Sequence, residues 1–199
     1  MRKKSHIALA IGLMEKLQLQ DTLHHKYTFC FGSILPDCRP SFLTTPHNFQ
    51  KTFEKVKEKI AQFIENMKNM YQFGYHDCIT LGEITHYIAD YFTFPHNHHY
   101  DGNLKDHCRY EKNLKFALRH FLESQEAIEL KKEIKVYRTK EELFQFIEET
   151  HKKYIEKSSA VLEDCRYIVR VCMEVVVSIV AILQNSFVEM REMLLEPVS

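Results

Sequence analysis

Apolar residues recur at helical spacing along almost the whole chain, and no stretch reads as a β-hairpin, a low-complexity tract or an internal repeat. The pattern predicts a first helix over about 5–17. A loop with a Gly32–Asp37 turn leads on to Pro46 and His47. A long amphipathic helix follows over about 48–72, with Phe53, Val56, Ile60, Phe63, Ile64 and Met67 on one face. Gly74 breaks it. The next helix covers about 76–92 and stops before Pro95, because proline disfavours helix in the residue ahead of it. Asp101-Gly102 is read as opening a helix to about 125, and Lys131 to Arg138 as a charged connection. Thr139 and Glu142 form a capping box for a helix to about 156. Ser158 or Ser159 caps the last and most apolar helix, to about 194. The expectation is an all-α, single-domain bundle over 1–199.

Composition supports that expectation and narrows function. The chain has 199 residues with 45% hydrophobic and 27% charged positions, an ordinary globular mix. Five Gly and five Pro are too few for a turn-rich all-β fold. Lys and Arg total 27 and so do Asp and Glu, so the formal net charge is zero. That argues against a nucleic-acid partner held on a broad basic face.

Other features bear on compartment. The six cysteines (Cys30, Cys38, Cys78, Cys108, Cys165, Cys172) contain no C-x-x-C pair, and are expected as reduced, buried thiols of a cytoplasmic protein. Arg2-Lys3-Lys4 ahead of the apolar Ile7–Met14 has the outline of an export signal, but no small-x-small cleavage site follows, so a first helix is read instead. Val175 to Leu183 is the longest apolar run near the C-terminus. At nine residues it is short for a bilayer span of about 20, and is expected as a buried helix with no transmembrane segment in the chain.

Twelve histidines are the anomaly, and six fall between His76 and His107. His86 with Asp90, and His107 with Glu111, sit four residues apart on predicted helices. Such pairs share one face, with Cβ atoms about 5–6 Å apart, and can grip one metal ion. His96 follows Pro95 at a helix end. Asp37 follows Pro36, and His47 follows Pro46. Imidazoles and carboxylates therefore come from at least four segments, and nitrogen and oxygen donors without thiolate favour zinc, with iron or manganese behind it. His24, His25, His120 and His151 are read as solvated. His98 and His99 are read either as spare ligands or as exposed loop residues.

The motifs G-x-x-x-P-D at Gly32–Asp37, the lone His47, H-Y-x-x-D-x5-H at His86–His96 and H-x3-E at His107–Glu111 resemble, in this order, those of the zinc-dependent phospholipase C family, related to S1/P1-type nucleases. The resemblance covers about the first 111 residues, and 112–199 read as supporting helices. It implies an all-helical fold with zinc at the bottom of a cleft. Asp37, His47, His86 and Asp90 would hold one ion, and His96, His107 and Glu111 a second. A third would be held by the first residue's amine and carbonyl, an early histidine matched by His6, and the bridging Asp90. Characterised members start with Trp after a leader is removed, whereas this chain starts with Met1 and has no Trp. Either the Met1 amine chelates the third Zn2+, or two ions bind.

The reaction the resemblance implies is hydrolysis of a phosphoric ester, a phospholipid headgroup ester among the candidates, by zinc-bound hydroxide, available because zinc lowers the pKa of water toward ~7. Asp37 would orient or deprotonate the water and Asp90 would bridge. Because ligating imidazoles must be neutral, activity is expected to fall below about pH 6. Tyr87, Tyr91, Phe92, Phe94 and Tyr100 crowd this region, and read as core ahead of a substrate pocket. Two other readings stand beside this one. One is an HD-type metal phosphohydrolase or nuclease using His47, His76-Asp77 and Asp164. The other is a catalytically inactive helical metal-binding protein.

Overall fold

The computed structural model describes residues 1–19, 23, 25–39, 47–67, 72–97, 100, 102–157 and 160–195, with side chains as far as 185. Among them lie eight helices and no strand: α1 (Lys3–Lys16), α2 (Lys26–Gly32), α3 (Phe49–Met67), α4 (Tyr75–Tyr91), α5 (Leu104–Glu123), α6 (Gln125–Glu133), α7 (Lys140–Ile155) and α8 (Val161–Leu195). Two 3₁₀ turns, Pro36–Cys38 and Phe94–His96, interrupt the connections. The all-α expectation holds. Pro46, His24, His98, His99, Asp101, Ser158 and Ser159, which carry several of the sequence-based expectations, lie outside the described residues.

The core is built around α4 and α8. In α8, Cys165, Ile168, Val169, Val171, Cys172, Met173, Val175, Val176 and Ile179 are fully buried, and Glu163, Arg166 and Arg170 follow one another along its outer face. The apolar stretch Val161–Asn185 is long enough to cross a bilayer by length and composition, and most of it is buried by the surrounding chain. The helix packs against α4, α5, α7, α3, α6 and α1. The predicted face of α3 (Phe53, Val56, Ile60, Phe63, Ile64, Met67) is buried in full. Each such side chain contributes about 1.5–3 kcal/mol.

The crossing of α2 and α4 positions the polar chemistry. A Cβ on Gly32 would lie 2.2 Å from the Ile79 carbonyl oxygen, and one on Gly82 would lie 2.4 Å from that of Phe29. Both distances are too short for any side chain, so the two backbones approach through paired glycines. This contact carries the chain from Gly32 into the Pro36–Cys38 turn directly over the middle of α4.

Several expectations are corrected. The seven-residue α2 lies where a loop is read, its short apolar pattern being inside a helix-sized window. Helix α5 starts at Leu104, because the Asn103 side chain accepts from the Lys105 and Asp106 amides. At Ser124 the backbone turns extended and its hydroxyl accepts from the Ala127 amide, opening α6 where a continuous helix and then a loop are read. Beyond α6 the chain is extended, and α8 satisfies it. The Lys135 amide donates to Glu174 and the Tyr137 amide to Ser178 Oγ. Of the six thiols, Cys78, Cys165 and Cys172 are buried, whereas Cys38 and Cys108 are exposed. All six are free. His151 is not solvated: it is buried, stacks on Phe49 with ring centroids 3.8 Å apart, and bonds Asn97 Oδ1 through Nε2 at 3.0 Å.

Candidate metal centre

Six segments supply the polar cluster. The α1 helix brings Met1 and His6 in from its N-terminal end. The Pro36–Cys38 turn brings Asp37, held rigid by proline at its first position. Helix α4 carries His86 and Asp90 on one face, and the Phe94–His96 turn beyond its end carries His96. Helix α5 carries His107 and Glu111 at i and i+4. His47 lies just ahead of α3. The structure brings all nine of these residues together.

Asp90 is the hub. It is fully buried on α4, as is His86 one turn before it. Its Oδ1 lies 2.5 Å from the Met1 amine and 3.3 Å from His6 Nε2. Its Oδ2 lies 3.3 Å from His86 Nε2, 3.5 Å from His47 Nδ1 and 3.6 Å from His96 Nδ1. The two oxygens thus face different donor sets, the geometry a bridging carboxylate needs. His47 Nδ1 and His86 Nε2 converge to 3.0 Å, with Asp37 Oδ1 at 3.8 and 3.6 Å from them. On the outer side, Glu111 Oε1 lies 3.3 Å from His107 Nε2 and 3.5 Å from both His96 Nε2 and the Met1 amine.

Among the described residues, three overlapping donor sets have ligand atoms mutually close enough to hold an ion: His6, Asp37 and His86; His47, His86 and Asp90; and His96, His107 and Glu111; the first two share His86 and are alternatives at one position. The chemistry of the cluster fits metal. Both ring nitrogens of His6 and Asp90 Oδ2 are buried without a hydrogen-bond partner, a costly arrangement that a cation between them relieves. The donors are imidazole nitrogens and carboxylate oxygens only, matching zinc. His86 Nδ1 is 2.8 Å from the Ser33 carbonyl oxygen, which accepts only from a protonated Nδ1. The lone pair of Nε2 is then left aimed at Asp90 and Asp37.

The electrostatics agree. Burial, reinforced by His86, holds His6 well below the usual imidazole range, so it is a neutral donor at pH 7. Burial pushes the Asp90 carboxyl up, but His96, the Met1 ammonium, His86 and His6 outweigh it and hold the group far below the usual range. Glu111 shows the same balance: burial is overcome by hydrogen bonds from His107 and His96. Burial pushes the Asp37 carboxyl up, as does Asp90. Burial alone lowers the Met1 ammonium, yet Asp90, Glu111 and Asp37 raise it above its ordinary value. That amine has to give up its proton before it can ligate.

The residues of the HD-type reading do not assemble. His76 is exposed and Asp77 caps its own helix by accepting from the Gly74 amide at 2.8 Å. Thirteen residues of α4 separate Asp77 from Asp90, about 20 Å at 1.5 Å per residue. Asp164 instead accepts from the Phe94 amide (2.7 Å), Tyr110 (2.9 Å) and Tyr154 (2.8 Å).

Positioning residues are where the sequence is silent. Asp164 ties the turn bearing His96 to α5 through Tyr110, the neighbour of Glu111. Asn97 donates to the Tyr91 and Thr93 carbonyls while His151 holds its oxygen. Glu83, buried on α4, accepts from Arg39 and from Lys59 Nζ at 2.5 Å, anchoring the chain just after Asp37. The crowded aromatics divide as follows. Tyr91 and Phe92 are core, Tyr87 packs edge-on to His47 and His86, and Phe94 meets Tyr100 and Tyr110.

No curated protein and no solved structure matches the chain. A family profile does: the one described as zinc dependent phospholipase C matches residues 5–160. It takes in eight of the nine clustered residues, all but Met1, and continues past the last motif through α6 and α7, farther than the sequence resemblance alone reaches. On that match, spanning most of the 199 residues, and with its donor sets already assembled around Asp90, this chain belongs to the zinc-dependent phospholipase C family.

Proposed function

We propose that this chain is a zinc-dependent phosphoric-ester hydrolase that cleaves a phosphodiester and would hold three ions at the donors clustered around Asp90. The observation that carries this reading is Asp90 itself: a buried carboxylate with the Met1 amine and His6 on one oxygen and His47 and His86 near the other. Asp37, His47, His86 and Asp90 would hold one ion, His96, His107 and Glu111 a second, and Met1, His6 and Asp90 a third. Bound zinc supplies Lewis acidity toward phosphoryl oxygen and lowers the pKa of water toward ~7.

The remaining work belongs to the chain. Asp37 is half-buried at the edge of the cleft and shares that cleft with His96, His107 and Glu111. A carboxylate there can accept a proton from the attacking water while touching His86 and His47, and burial makes it a better base than a solvated one. His86 keeps its orientation through Ser33, so the site is set before substrate arrives. The test is zinc content together with turnover of an artificial phosphodiester. Asp90→Asn is expected to lower zinc content and to abolish hydrolysis; full activity in that variant refutes the reading.

A further inference from the structure

The cleft above Asp37, His96, His107 and Glu111 has a volume of about 670 Å³. Its outer wall is basic. Arg2, Lys3, Lys4 and Lys115 line it, together with Leu104 and Cys108. This concentration is notable in a chain whose formal net charge is zero. Arg2 is already committed, donating to the Cys108 carbonyl at 2.9 Å with Nε 3.9 Å from Glu111. Lys3, Lys4 and Lys115 form no ion pair among the described residues, and Lys115 sits over the Phe116 ring at 4.2 Å. Desolvation and then repulsion from Arg119, Lys4, Arg2 and Lys112 hold the Lys115 ammonium below its ordinary value. Lys4 also lines a second groove, between α1 and α5, together with Glu15 and Glu123.

Helix α1 adds to the same field. Its positive end starts at Lys3 and points its first turn at the cleft mouth, and that turn contains no acidic residue. Arg2, at the N-cap, makes no side-chain cap bond. Cations at a helix N-terminus are disfavoured and an anion there is favoured. A quaternary ammonium takes an aromatic or acidic cage, whereas the rim presents Lys3, Lys4, Lys115 and the exposed Leu104.

Taking the hydrolase reading above as its basis, we propose that the Lys3–Lys4–Lys115 collar selects a phosphodiester bearing a second anionic group, a phosphate or carboxylate on the alcohol beyond the scissile phosphorus. An anionic phospholipid headgroup and a soluble bisphosphorylated ester share this chemistry. The second anion sits among the three lysines while the scissile phosphate lies over the metal ligands.

The experiment uses the zinc-loaded full chain and three p-nitrophenyl phosphodiesters, whose other alcohol is choline, ethylene glycol or glycerol phosphate. With exposed charge contacts each giving up to about fivefold, the anionic ester should exceed the choline ester in kcat/KM by about tenfold at low salt, a ratio that shrinks as salt rises. The triple variant Lys3→Gln, Lys4→Gln, Lys115→Gln should bring the ratio close to one, with zinc content measured alongside. Calorimetric titration with propane-1,3-diol bisphosphate and with its monophosphate reads the same selectivity without turnover, and the bisphosphate should bind more tightly to wild type than to the variant. Sedimentation with phosphatidylcholine vesicles, with and without phosphatidylglycerol, separates the sources: binding only to the anionic vesicles assigns a lipid headgroup, and no binding assigns a soluble ester. Equal turnover of all three esters, or equal binding of the two propanediol phosphates, overturns the collar. If the zinc-loaded protein hydrolyses none of the esters yet still prefers the bisphosphate, the hydrolase reading fails and the collar stands.

Discussion

Asp164→Asn offers a test with a counterintuitive sign. The Asp164 carboxylate is buried beneath the His96 turn and accepts from the Phe94 amide, Tyr110 and Tyr154. Burial raises its pKa from 3.8 to about 6, because those three bonds favour the anion but do not offset the loss of solvation. The folded protein therefore holds this proton at a pH where the unfolded chain has released it. By linkage, its contribution is fully present below pH 4 and is lost as pH rises toward 6. At about 1.4 kcal/mol per pH unit, the loss amounts to about 3 kcal/mol. Asparagine does not titrate, so the stability gap, wild type minus Asp164→Asn, falls by about 2–3 kcal/mol between pH 4 and pH 7. Urea unfolding of both proteins in chelator across that range measures it. Groups common to both cancel in the difference. Parallel stability curves, or a gap that widens with pH, would show that Asp164 is an ordinary ionised acceptor and refute the argument.

Other substitutions probe the frame around the site. Gly82→Ala would place a methyl against the Phe29 carbonyl, so a loss of about 1–3 kcal/mol is expected in thermal unfolding, with weaker zinc binding as Ser33 moves off His86; an unchanged Tm would mean the helices separate freely. His151→Phe keeps the stacking on Phe49 but strips Asn97 Oδ1 of its partner, and should cost about 1–3 kcal/mol, read by urea denaturation. Extending the chain by Gly-Ser ahead of Met1 converts its amine to an amide, which ligates poorly; zinc per chain should fall by one ion while the far-ultraviolet spectrum holds, and an undiminished count removes Met1 from the ligand set.

The candidate site was legible to an unusual degree because its ligands recur at helical spacing. His86 with Asp90 and His107 with Glu111 are visible as pairs, since four residues along a helix return to one face whatever surrounds it. His47, Asp37 and His6 carried no such local signature and entered through motif order. The frame that holds the ligands was not legible. Ser33 acts through a backbone carbonyl, which any residue supplies. The pattern alone places Asp164 in a rival metal site and His151 in solvent, because Phe94 and Tyr110, which bond Asp164, and Asn97, which bonds His151, lie 54 or more residues away along the chain. Boundaries failed where one polar residue decided them, at Asn103 and Ser124, and the short α2 lacked the length that makes a periodic signal stand out.

Alone, the sequence determined the helical class and the buried face of α3, and it offered the candidate donor pairs His86–Asp90 and His107–Glu111, all of which follow from periodicity and residue type. Tertiary structure decided what those donors can do. Only the packing of α1, α2 and α5 around the polar end of α4 gives the two oxygens of Asp90 separate partners, and only the Gly32–Gly82 contact brings Ser33 within reach of His86. The same packing gathers Lys3, Lys4 and Lys115, unremarkable charges in a neutral chain, onto one wall of one cleft. Charge and ligation depend on distance, and distance across the fold is set by which backbones can approach each other.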